Sequence, residues 1–262
     1  MQFAVVQKDS LAPTVEQLKA ALKAVPRFTE LDALRQAQVA CGILARHLTL
    51  PEATLVQRAL AGDGVPTEVV EASQLPRLPD AKSVKRLELD GQAMRVFDPL
   101  GRAVPVPWPQ VSLLTAGVVR HFGVSQTVTQ ERVHRDYVVV AFDTIETDVR
   151  HKIEDTAKVQ VDIFLAGGAM RFQIEAENFL FGYLFQRPEL GLVEKTGHLI
   201  QLLSQSAPHV RLNRGAVALR DQPAQPVGYA SKAALDDEAV WLLWRMAAQA
   251  RSQGSSAAAG AV

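Results

Sequence analysis

Apolar positions recur at helical spacing early in the chain and at strand spacing later, and that change of period divides it. QFAVVQ (2 to 7) is a β-branched run, followed by the breakers of KDSLAPT and then by VEQLKAALKAV (15 to 25) with its apolar residues three and four apart. Pro26 stops this helix; ELDALRQAQVA (30 to 40) resumes the period through Leu31, Leu34 and Val39, and CGILARHL reads as a second strand. Thr49 with Glu52 three residues on forms a capping box, which starts a helix whose stripe is Ala53, Val56 and Leu60. Gly62 and Gly64 end it, and VPTEVVE is a third strand beginning at or after Pro66, which cannot donate to a ladder.

ASQLPRLPDAKS (72 to 83) has no apolar period and marks the end of a first domain at about residue 76. The second domain, 84 to 220, is predicted to be mostly β. Asp90-Gly91 between alternating runs signals a hairpin, and Asp98-Pro-Leu-Gly101 a further turn. RAVPVPW and VSLLTAGVVR read as strands, then a polar loop, then the strand DYVVVAF (136 to 142). VQVDIFL and AMRFQIEA alternate strictly about a Gly-Gly turn, so one face of that hairpin is buried. ELGLVEKTGHLIQLLSQSA (189 to 207) closes the domain as a helix. The remainder, 221 to 262, reads as a linker, a helix from Asp236 to about Arg251, and a disordered tail GSSAAAGAV.

The expected class is therefore α+β: a small β-α-α-β-α-β sandwich, an antiparallel β barrel or sandwich closed by a helix, and a C-terminal helix. Through VEQLKAALKAV, ELDALRQAQ and ILARHLTLPEATLVQRALAGDGVPTEVVE the first domain resembles the C-terminal domain of the bacterial ribosomal stalk protein and the related protease adaptor that delivers N-degron substrates. The resemblance implies a docking module without catalysis. Residues 84 to about 207 resemble the pleckstrin-homology-like fold, with LGRAVPVPWPQVSLLTAG similar to a passage of its bacterial members. LELDGQAMR lacks the clustered lysine and arginine of a phosphoinositide pocket.

Charge narrows the partners. The chain has 262 residues with 28 basic and 28 acidic side chains, so no basic excess points to nucleic acid. One cysteine, Cys41, in the apolar setting VACGIL, fits a reducing cytoplasm, and no apolar run is long enough to span a bilayer. His134-Arg-Asp136 stands without the other parts of a kinase site. The six histidines are scattered, and His151 with Glu154 on one helix face falls short of a zinc set. No catalytic residue, cofactor or metal is expected.

The binding residues singled out are His209, Arg211 and Arg214, the densest basic cluster near the end of the second domain, and Trp241 and Trp244, a heavy apolar load on the last helix. That helix must pack on its own domains, on a second copy as a homodimer, or on another surface. The leading reading is a noncatalytic cytoplasmic binding or adaptor protein of unidentified partner; the alternatives are a small-ligand or anion sensor with its site between the domains, and an enzyme of unnamed reaction.

Overall fold

The computed structural model of the chain describes residues 1–9, 12–98, 100–136 and 141–259, the side chains of 122–155 and 253–259 excepted. The class is α+β. The N-terminal unit follows the expected order: β1 (Phe3–Gln7), α1 (Val15–Lys23), α2 (Glu30–Val39), β2 (Ile43–Leu48), α3 (Leu50–Gly62) and β3 (Thr67–Glu71). Its sheet is antiparallel, in the order β2-β1-β3. Each helix begins at a threonine bonded to the residue three positions on: Thr14 and Gln17 exchange hydrogen bonds, as do Thr29 and Asp32, while the amide and hydroxyl of Thr49 both donate to Glu52. At the third of these the Thr49 amide donates to the Glu52 carboxylate at 2.7 Å. Three such starts within the unit leave little freedom in where its helices begin.

The second unit holds β4 (Ala81–Ser83), β5 (Leu87–Leu89), β6 (Ala93–Phe97), β7 (Ala103–Pro107), β8 (Val111–Asp136), β9 (Ala141–Leu165), β10 (Met170–Glu175), α4 (Leu192–Ser206), β11 (Arg211–Leu212), α5 (Arg214–Asp221) and β12 (Gly228–Tyr229). The Asp90-Gly91 hairpin, the Asp98 turn and the Gly-Gly turn between β9 and β10 all form. Among the described residues no barrel closes. One sheet runs β11-β8-β9-β10-β4 with β12 also on β8, and β5-β6-β7 is a separate sheet. The flanks of the larger sheet are short parallel strands, β4 on β10 and β11 and β12 on β8, so its edges do not meet. β4 lies within the stretch read as linker.

Three expectations are corrected. The polar stretch after VSLLTAGVVR is no loop: β8 continues to Asp136 and pairs with β9 residue by residue from Phe122↔Asp155 to Asp136↔Ala141. Most of the DYVVVAF stretch lies at 137–140, outside the described residues. His151 and Glu154 therefore sit in a strand, not on a helix. The last helix, α6 (Lys232–Ala259), starts before Asp236 and runs through most of the tail read as disordered.

Both faces of the larger sheet are covered. Leu114, Ala116, Val161 and Ile163 face a core shared with α4 and with Leu87, Met94 and Trp108; Leu113 and Phe164 face α6. The other side of α6 packs on Ala4, Val6, Ile43 and Val70 of the N-terminal sheet, whose far face carries α1 to α3. α6 is thus the middle layer of the molecule, and Ala239 to Trp244 are all buried. A helix apolar all round is what two flanking sheets require. Trp241 closes on Gly42, where a Cβ would lie 2.5 Å from the indole ring and φ is +74°. Among the described residues no helix is long and apolar enough to cross a membrane.

Candidate functional site

Three consecutive acids at the start of α6 read from sequence as helix-end charge. In the fold each takes its own arginine. Asp236 accepts from Arg171 of β10 at 2.6 Å, Asp237 pairs with Arg46 of β2 at 2.7 Å, and Glu238 lies 3.4 Å from the Arg214 guanidinium at the head of α5. The first two fasten α6 to the sheets on either side. The third borders a cleft.

Small residues set the geometry around Glu238. α5 lies directly on β8, because a Cβ on Gly215 would come within 1.9 Å of the Ala116 carbonyl oxygen. Asn213 caps α5: its Oδ1 accepts from the amides of Ala216 at 2.8 Å and Ala116 at 2.9 Å. Tyr229 crosses Gly117, where a Cβ would be 2.2 Å from the ring, and so brings its hydroxyl to the same place. That hydroxyl accepts from Asn213 Nδ2 at 2.9 Å and donates to Glu238 at 2.6 Å, while the Arg214 amide donates to Glu238 at 3.1 Å. Glu238 is 2% exposed and has its charge answered.

Beside this network is a cleft of about 480 Å³ between the N-terminal unit, α5 and α6. Gln7 and Cys41 come from the first unit, Arg214 and Val217 from α5, Trp241 and Leu242 from α6. Asp221 stands at the rim, its carboxylate engaged by the neighbouring Arg220 at 2.6 and 2.8 Å. The Arg214 side chain is 47% exposed and lies 5.3 Å over the Tyr229 ring. Its contact with Glu238 is long for a charge-assisted hydrogen bond. The guanidinium can therefore serve a ligand without leaving Glu238 unsatisfied.

Burial, and then the Glu238 carboxylate, push the Cys41 thiol up to about 12, and burial and the same carboxylate push the Tyr229 phenol up as well. A protonated thiol is a weak nucleophile. Iodoacetamide at pH 8 should alkylate Cys41 of the native protein at least tenfold more slowly than a thiol of ordinary pKa, and denaturant should abolish the difference. Fast labelling of the folded chain would contradict the assignment.

The predicted binding residues part company. Arg214 lines the cleft; Arg211 does not, and donates to Gln249 of α6; His209 is exposed in the preceding turn. Trp241 walls the cleft, but its ring is buried and its Nε1 donates to the Gln7 carbonyl at 2.8 Å, while Trp244 lies inside the layer interface. Asn213, Tyr229 and Glu238 escaped sequence reading. A buried charge inside the run DDEAVWLLW was the available signal for the last.

Among the described residues no group of three or more His, Cys, Asp or Glu is arranged to hold a metal ion. His134 and Asp136 have no described side chains. Compared with models of known protein families, with curated proteins and with solved structures, the chain matches none.

Proposed function

We propose that the protein is a cytoplasmic, noncatalytic binding protein whose ligand enters the cleft between the two units, and that the ligand is a small amphiphilic anion such as a carboxylate with an apolar body. The observation that carries this is Arg214: a half-exposed guanidinium at a cleft walled by Val217, Trp241 and Leu242, stacked over the Tyr229 ring and making a long contact to a carboxylate that other donors also satisfy. Arginine presents its N–H groups in a fork that matches a carboxylate, and about 480 Å³ lies within the size range of small-ligand sites. The raised thiol and phenol support binding rather than nucleophilic chemistry.

Octanoate should raise the melting temperature, because a ligand of the native state alone stabilises it, and neutral octanamide should do so much less. Arg214→Gln should weaken octanoate about tenfold to hundredfold, the value of a hydrogen-bonded charge, and should also lower the unliganded melting temperature, because buried Glu238 keeps the Tyr229 hydroxyl and the Arg214 amide but loses the cation facing it; affinities are therefore compared at a temperature where both chains are folded. Equal response to octanoate and octanamide, or none to either, would sink the reading. A second reading, a protein adaptor, is favoured by the β8–β9 arm, which leaves the body of the molecule as a ribbon of two strands.

A further inference from the structure

The cleft at Arg214 adjoins a second hollow, of about 700 Å³, between α4 and α5. Leu212, Val217 and Asp221 line both, so the two hollows meet across them. Val217 is 38% exposed and Leu212 half-buried, although each is apolar. From Arg214 to Asp221 the helix α5 rises roughly 10 Å at about 1.5 Å per residue. A guanidinium thus stands at one end of a short apolar saddle.

The other end is polar and carries no net charge. Gln201 and Gln205 lie one turn apart on the exposed side of α4, and each side-chain amide offers both a donor and an acceptor. Ser204 donates its hydroxyl proton to the Gln201 carbonyl at 3.0 Å, which leaves its oxygen as an acceptor. Arg220 donates to Asp221 twice, at 2.6 and 2.8 Å. A charged group arriving here would find its opposite charge already engaged, whereas a hydroxyl or carbonyl would find amides to bond. Between the two ends, a chain laid over Leu212 and Val217 removes their apolar surface from water.

We infer, on the reading of the Arg214 cleft as a carboxylate site, that the ligand is bipolar: its carboxylate meets Arg214, its chain crosses Leu212 and Val217, and a neutral hydroxyl or carbonyl at its far end bonds Gln201 and Gln205.

Calorimetric titration of the full chain should show 12-hydroxydodecanoate binding about threefold to tenfold more tightly than dodecanoate, the value of one hydrogen bond. A wholly apolar hollow would do the reverse, because a hydroxyl buried without a partner weakens binding. Gln201→Ala with Gln205→Ala, at two exposed positions, should abolish the gain, so that the two ligands bind alike or the hydroxylated one more weakly. A parent chain that binds dodecanoate at least as tightly as its hydroxylated form, or a gain that survives the double substitution, would overturn the bipolar ligand and leave the Arg214 site standing. Dodecanoate that fails to bind where octanoate binds would do the same, and no binding of any of the three would remove the Arg214 site as well.

Discussion

Trp241→Ala is expected to destabilise the protein by about 3–5 kcal/mol, the range for removing a large aromatic side chain from a packed interior. The ring sits on Gly42, where the missing Cβ makes room for it, and its Nε1 anchors α6 to the Gln7 carbonyl. Truncation therefore leaves a void between layers and removes the hydrogen bond from Trp241 Nε1 to the Gln7 carbonyl. Because α6 is the layer through which both sheets are covered, the loss should appear as a single shifted transition in urea, with both units responding. Leu100→Ala, at a side chain 78% exposed, should change stability by no more than about 0.5 kcal/mol. A Trp241 variant that unfolds within about 1 kcal/mol of the parent would show that α6 does not hold the layers together.

The N-terminal unit was legible because its information is local: each helix has a threonine start and a 3.6-residue stripe, and each strand is short and bounded by breakers. Element order and every boundary followed within a few residues. The long hairpin was not legible. From Ser125 to Arg132 the chain reads Ser-Gln-Thr-Val-Thr-Gln-Glu-Arg, with little apolar alternation. The period that reveals a strand is alternation of apolar and polar residues, and this stretch carries little of it.

The centre of the molecule was misread for the opposite reason. Gln160 and Asp162 fall on the polar side of VQVDIFL and so read as solvent-facing, yet that side lies under α6 and Asp162 is fully buried. One covered face was inferable from alternation; coverage of the second depended on a helix from the far end of the chain. The same distance hid the cleft, since Cys41, Arg214 and Glu238 converge only when α6 has docked.

Arg171→Met should cost about 3–5 kcal/mol, the consequence of stranding a buried charge. Arg171 is 4% exposed and grips Asp162 with two bonds, Nε at 3.1 Å and Nη2 at 2.8 Å, while reaching Asp236 on α6. Gln160 adds a donor to Asp162 at 2.7 Å. Burial already pushes the Asp162 carboxyl upward, with Arg171 opposing the rise, so removing the guanidinium should raise it further. A carboxyl with a higher pKa folded than unfolded binds more protons in the native state, so its destabilising effect is absent below the unfolded pKa and grows as pH rises through the folded one. The deficit of Arg171→Met should therefore shrink on acidification from neutral pH toward 4. Adding Asp162→Leu removes the stranded charge and should recover a large part of the loss, since a buried pair replaced by apolar groups is often close to neutral. Urea titrations of the three chains at pH 7 and pH 5 decide the matter: a deficit that does not fall with pH, or a double variant no better than Arg171→Met, would mean that the loss comes from undocking Asp236 and α6 and not from the charge left on Asp162.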